Sequence, residues 1–126
     1  MRQLKSPRMR WGYRDGSGEV RYRIRLSDSV AFIHQERVII EDNVFVGHYS
    51  ILDGTGGLEI GEGCQIAGWN GIYTHSSHIS IRLYGQHYVD VDEDNKIGYF
   101  KKPVKLEQYV YMGVAAELSP QMCPDP

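Results

Sequence analysis

Aliphatic residues recur along the chain at every sixth position. Leu26, Phe32 and Val38 form one run, and Ile40, Val46, Leu52 and Leu58 form the next. Ile60, Ile66 and Ile72 form a third, and Leu106, Met112 and Leu118 resume the rhythm after an interruption. The residue that follows is often small or acidic, as at Glu41, Gly47, Asp53, Glu59, Gly61, Ala67, Glu107 and Gly113. A helix would show spacings of three and four, and a flat strand a spacing of two. A period of six predicts a triangular coil of short parallel strands, with the aliphatic residue inside and the next residue at the corner. One repeat cannot bury its side chain alone, so stacked repeats must share a column. The slips of two at 38–40 and 58–60 are read as extra corner residues. The competing reading is a chance run of Ile and Val in ordinary strands, and several runs in one phase argue against it.

Two stretches depart from this rhythm. In the first, Trp11 and Tyr13 alternate with Arg10, Gly12 and Arg14, and Val20, Tyr22, Ile24 and Leu26 alternate with Arg21, Arg23 and Arg25. That period of two predicts a strand pair with one apolar and one basic face, joined at the turn sequence Asp15-Gly16-Ser17-Gly18. In the second, residues 80–103 carry Asp90, Asp92, Glu93 and Asp94 and then Lys96, Lys101 and Lys102, with no period of six. It is expected to project as a loop, functional as long loops commonly are, or else to be a disordered insertion.

The length of 126 residues allows one domain. It divides into strands at 1–25, coils at 26–79, the loop at 80–103, a further coil at 104–122 and a tail at 123–126. The net charge of -2 excludes nothing, but eight of the 14 basic residues fall in the first 25. Such an arm suits phosphates or an anionic surface, or is simply a solvated strand face. It carries no nucleic-acid-binding motif, and no nucleic-acid partner is expected. Cys64 and Cys123 make no disulfide framework, and Cys64 sits where a buried thiol would. No apolar run is long enough to span a bilayer and no signal sequence opens the chain, so a cytoplasmic location is expected.

Chemistry concentrates at Ile72-Tyr73-Thr74-His75-Ser76-Ser77-His78, just before the loop. Histidine titrates near neutral pH and serves as a general base. The same pair reads equally as surface or core-edge histidines. Ser76 and Ser77 are not expected to act as nucleophiles, because adjacent strand residues face opposite ways.

The repeats Ile40-Glu41-Asp42-Asn43-Val44-Phe45-Val46-Gly47 and Leu58-Glu59-Ile60-Gly61-Glu62-Gly63-Cys64-Gln65-Ile66 resemble those of the hexapeptide-repeat acyltransferase superfamily. Asp53, Thr74-His75-Ser76-Ser77-His78, and Pro103-Val104-Lys105-Leu106 leading to Met112-Gly113 resemble its sugar O-acetyltransferases of the galactoside and maltose type. The resemblance covers roughly residues 26 to 118. It implies an all-β fold, a left-handed parallel β-helix, and a homotrimer with sites between neighbours. It implies acetyl-CoA as acyl donor, no metal, and a sugar or glycan acceptor. His75 would be the catalytic base and Asp53 would face the acceptor. His78, Asn70 and Trp69 would line the acceptor site. Gly113, Val114, Ala115 and Ala116 would meet the pantetheine arm of coenzyme A. The last residues, Cys123-Pro124-Asp125-Pro126, leave the phase, so the chain is expected to be shorter than the family's at its C-terminus.

Two other functions compete. One is a catalytically impaired or non-enzymatic scaffold formed by a shortened chain. The other is a metal enzyme resembling the γ-class carbonic anhydrases, with His48, His75 and His78 as candidate ligands; a catalytic zinc needs three protein ligands and an open position.

Overall fold

Strands of two or three residues cannot hold a fold by their own hydrogen bonds, so their pairing must come from what they bury. The computed structural model describes residues 6–115 and the backbone of Glu117 and Leu118. Two longer strands open it, β1 (Met9–Arg14) and β2 (Val20–Ser27), paired antiparallel. The turn between them is closed by Asp15, whose Oδ1 accepts from the Ser17 backbone N–H at 2.9 Å. Gly16 lies against the next turn of chain: a Cβ there would stand 1.8 Å from the Glu36 carbonyl oxygen. The expected apolar face of this pair is only half realised. Tyr13, Ile24 and Leu26 are buried, but Trp11 and Tyr22 are exposed. A register shift between Trp11 and Tyr13 turns the two aromatics apart, and Arg25 lies over the Trp11 ring.

Eight short strands follow: β3 (Ala31–Ile33), β4 (Val38–Ile40), β5 (Phe45–Val46), β6 (Ile51–Asp53), β7 (Leu58–Ile60), β8 (Gln65–Ile66), β9 (Gly71–Ile72) and β10 (His75–Ser76). After a helical excursion come β11 (Phe100–Lys101), β12 (Val104–Leu106), β13 (Tyr111–Met112) and β14 (Glu117–Leu118). Parallel pairing links β2-β5-β8-β13, β3-β6-β9-β14 and β4-β7-β12. The register steps by 20 residues, Leu26 to Val46 to Ile66 and Phe32 to Leu52 to Ile72. Beyond the excursion it steps by 46, Leu58 to Val104 and Ile66 to Met112, so 26 residues are inserted in one register step.

This register stacks buried side chains. Ile40, Val46, Leu52, Ile60, Ile66 and Ile72 are all fully buried, as the six-residue pattern predicts. Ile24, Val44 and Cys64 make a further column, with the Cys64 thiol donating to the Glu107 carbonyl. The slips at 38–40 and 58–60 are not corners. They lie inside β4 and β7, each of which buries both of its ends, Val38 with Ile40 and Leu58 with Ile60.

The regular left-handed parallel β-helix and the all-β class are not what forms. The structure is mixed, 17% helical and 37% strand, with several small sheets of mixed orientation. The hairpin β1–β2 and the pair β10–β11 run antiparallel. The expected loop at 80–103 is largely helical: α1 (His78–Tyr84) is followed by 3₁₀ turns at Gly85–Asp90 and Glu93–Asn95. The reason is local. Residues off the six-residue rhythm have no column to join, so their backbone groups bond within their own turns, as Ile81 N–H does to the Ser77 carbonyl at 2.9 Å. Among the described residues, no helix is long and apolar enough to cross a membrane.

Burying an isoleucine contributes about 1.5–3 kcal/mol, and a buried unpaired charge costs more than that. Ile66→Asp is expected to abolish the cooperative thermal transition, whereas Glu59→Gln, on an exposed side chain of β7, should leave it within about 0.5 kcal/mol. Circular dichroism melts of both variants check this.

Candidate functional site

Asp53 ends β6, and the register step brings Thr74 and His75 beside it from the neighbouring strand region. Its carboxylate is fully buried. Oδ1 accepts from the Thr55 backbone N–H at 3.0 Å and from the Thr55 hydroxyl at 2.5 Å. Oδ2 accepts from the Thr74 N–H at 2.8 Å and from His75 Nδ1 at 2.5 Å. Burial by itself would raise this carboxyl's pKa. The Thr55 hydroxyl, the Thr74 and Thr55 backbone N–H groups and His75 outweigh it and hold the pKa at about 2. An ionised carboxylate only accepts, so Nδ1 of His75 carries the proton in this bond. The neutral ring then has its lone pair on Nε2, which makes no hydrogen bond among the described residues.

The local sequence explains this knot. Asp53-Gly54-Thr55 bends back on itself, the carboxylate capping the backbone two residues on. Thr74 ties the next strand region to it: its hydroxyl accepts from Gly56 N–H at 2.7 Å and donates to the Asp53 carbonyl at 2.9 Å. Gly56 leaves room for the chain returning from the excursion. A Cβ there would meet the Thr74 carbonyl oxygen at 2.5 Å and Lys102 backbone atoms at 2.7 Å. That return forms β11, which pairs His75 with Lys101 and brings Lys102 N–H to the Thr74 carbonyl at 3.0 Å.

Two tyrosines flank the imidazole. Tyr99, just before β11, stacks on it with centroids 6.1 Å apart, and Tyr73 meets it edge-on at 6.4 Å. Tyr99 is fixed from the excursion by Glu93, whose carboxylate lies 3.5 Å from its hydroxyl and 3.3 Å from Lys101 Nζ. Burial first, and then the charge of Glu93, raises the Tyr99 pKa, so the phenol stays neutral. The side chain of His75 retains 29% of its exposure, so the ring is partly open beside the two tyrosines.

The other predicted residues fall as follows. Asp53 does not face an acceptor: its four acceptor positions are filled by protein donors and no solvent reaches it. It holds His75 through Nδ1 instead. His78 opens α1, is exposed, and lies with Nδ1 3.0 Å from the Ser76 hydroxyl; no contact joins it to His75 among the described residues. Asn70 is buried and donates to the Ala67 carbonyl at 2.7 Å, a turn-holding role. Trp69 is exposed and packs against Tyr49, the two rings tilted by 31°. Trp69, Asn70 and Ala115 border one shallow cavity of about 430 Å³ that also includes Tyr73. Val114 and Ala115 are exposed and Gly113 is half-buried, while Ala116 lies outside the described residues. His48 Nδ1 lies 2.6 Å from the Ser27 hydroxyl, so the three histidines of the metal reading each have a different partner. No three His, Cys, Asp or Glu side chains are grouped to hold a metal among the described residues.

Sequence reasoning quoted Tyr73 and Thr74 beside His75 without giving them a role, and it missed Thr55 and Tyr99. The Asp-x-Thr spacing at 53–55 signals a local cap and was available. Nothing in the sequence ties Tyr99 to His75 across a helical excursion. Compared with family models, curated proteins and solved structures, the chain finds no match in any of the three.

The Asp53 pKa falls from 3.8 to about 2 on folding. A lowered carboxyl pKa stabilises the fold above the unfolded value, and that contribution is lost as the pH drops through the folded one. It is worth on the order of 2 kcal/mol. Stability of the wild type should therefore decline between pH 4 and pH 2 more steeply than that of Asp53→Asn, which should be less stable at neutral pH. Urea titrations of both proteins across this range give the comparison.

Proposed function

We propose that the protein is an O-acetyltransferase that moves the acetyl group of acetyl-CoA to a hydroxyl of a sugar or glycan, with His75 as general base. The observation that carries this reading is the Asp53–His75 pair: a buried anionic carboxylate fixes Nδ1–H and leaves Nε2 as the accepting nitrogen at a half-open surface. The resemblance of Thr74-His75-Ser76-Ser77-His78 and Pro103-Val104-Lys105-Leu106 to the sugar O-acetyltransferases supplies the reaction class.

Acetyl-CoA supplies the acyl group as a thioester. The stretch Gly113-Val114-Ala115 fits a thin extended arm, since Val114 and Ala115 are exposed and a Cβ on Gly113 would meet nothing nearer than 4.0 Å. His75 Nε2 takes the proton of the acceptor hydroxyl as its oxygen bonds to the acyl carbon. The carbon–sulfur bond breaks, and the proton held at Nε2 passes to the sulfur. Asp53 stays ionised throughout and stabilises the imidazolium that exists between the two proton transfers. Tyr73 and Tyr99 limit water around the ring. On the same resemblance the protein assembles as a homotrimer, with the His75 edge of each copy facing its neighbour.

Release of free thiol from acetyl-CoA in the presence of a panel of sugar acceptors is the test. His75→Ala should lower turnover by about two to four orders of magnitude, the range for a general base, while leaving the dissociation constant of coenzyme A nearly unchanged. Equal turnover by the variant would remove the assignment.

A further inference from the structure

The sheet β1-β2-β5-β8-β13 carries one row of cross-strand partners: Trp11, Arg25, Phe45, Gln65 and Tyr111. The row faces outward. The next residue of each parallel strand, Leu26, Val46, Ile66 or Met112, is buried, and successive strand residues point opposite ways. Four inter-strand steps make the row about 19 Å long. Trp11 is 70% exposed at one end and Tyr111 is 68% exposed at the other.

Arg25 is gripped within this row. Its guanidinium carbon lies over the Trp11 ring at 5.7 Å from the centroid and over the Phe45 ring at 5.5 Å. Stacking uses the faces of a guanidinium and leaves its N–H donors pointing from the edge. Among the described residues no carboxylate lies within ion-pair distance of Arg25, nor of Arg23, which is exposed two residues earlier. Arg21 differs, because Glu19 at 2.6 Å and Glu41 at 3.4 Å neutralise it within the fold. Two residues before the row, the four parallel strands carry Arg23, Asn43, Gly63 and Tyr109, none of them acidic. The Tyr109 ring covers Gly63, where a Cβ would stand 2.3 Å from it, and is exposed.

The face therefore joins two cations that lack acidic partners to an exposed tryptophan and two exposed tyrosines. A two-fold contact with an identical face would set arginine against arginine. Single-stranded nucleic acid needs open ring faces for its bases, and Arg25 covers one face of both Trp11 and Phe45. A lipid headgroup layer needs only cations at the level of its phosphates and amphipathic rings beside them.

We propose that this sheet face docks the protein on an anionic phospholipid surface, with Arg23 and Arg25 on lipid phosphates and Trp11, Tyr109 and Tyr111 among the headgroups. Asp53 and His75 lie on strands of other sheets. The docking does not rest on the reading of His75 given above.

Cosedimentation with vesicles is the test, comparing pure phosphatidylcholine with equal parts of phosphatidylcholine and phosphatidylglycerol. The wild type should pellet with the mixed vesicles alone and be released as salt rises from about 0.1 M to about 1 M, where charge interactions reach only about 3 Å. Each arginine near the surface contributes about fivefold in partition, so the double variant Arg23→Gln, Arg25→Gln should bind about twentyfold more weakly. Trp11→Ser, at an exposed position outside the core, is an independent arm and should weaken partition severalfold. Lys105→Gln removes a charge from an exposed position of β12, on another sheet, and should bind as the wild type does. Circular dichroism melts check that each variant folds. The proposal is overturned if the mixed vesicles do not retain the wild type, or if the folded double variant and Trp11→Ser partition equally well. It is overturned too if Lys105→Gln loses as much as an arginine variant, which would reduce the effect to net charge. Tighter binding to a single-stranded oligonucleotide than to the mixed vesicles would assign the face to nucleic acid instead. A smaller assembly of the double variant in sedimentation would assign it to a second copy of the chain.

Discussion

Burial of the aliphatic columns fixes the register, and the register places everything else. Strands of two or three residues gain little from their own ladders. What holds them in place is that a shift by one residue would turn Val46, Leu52, Ile66 or Ile72 outward. With the step held at 20 residues, the end of β6 falls beside Thr74 and His75. The contact between Asp53 and His75 is therefore a consequence of core packing several residues away.

The Asp53 knot joins stability to chemistry. A buried carboxylate would be costly if unpaired, and here every acceptor position is filled. The hydrogen bonds that keep the charge tolerable also tie β6 to the neighbouring strand region. One of those donors is the imidazole itself, so the carboxylate that stabilises the turn also sets the tautomer of His75. The charge stays in place near neutral pH, since the carboxyl is held at about 2.

The inserted 26 residues complete the site from outside the columns. They fold as short helical turns, return through β11 antiparallel to the histidine strand, and deliver Tyr99 onto the ring. Gly56 makes that return possible by leaving no side chain in its path. Two different kinds of order meet at His75. The strand side is held by buried columns, and the excursion side is held by polar and aromatic contacts such as Glu93 with Lys101 and Lys96 over Tyr88.

The sequence by itself determined the buried positions Ile40, Val46, Leu52, Ile60, Ile66 and Ile72, because a strong period in hydrophobicity is imposed by a shared core and survives without knowledge of the fold. It also marked His75, and the turn at Asp15-Gly16-Ser17-Gly18, whose chemistry is local. It overreached where it extended the period into one regular all-β architecture. The hairpin and the helical excursion satisfy their backbones by local bonds that a six-residue count does not register. Only the tertiary structure decided that the slips at 38–40 and 58–60 lengthen strands, that Trp11 and Tyr22 face outward, and that Asp53 serves His75 rather than a substrate. Those outcomes depend on which groups meet across a step of 20 or 46 residues. Such meetings are set by register and packing together, and no single stretch of the chain contains them.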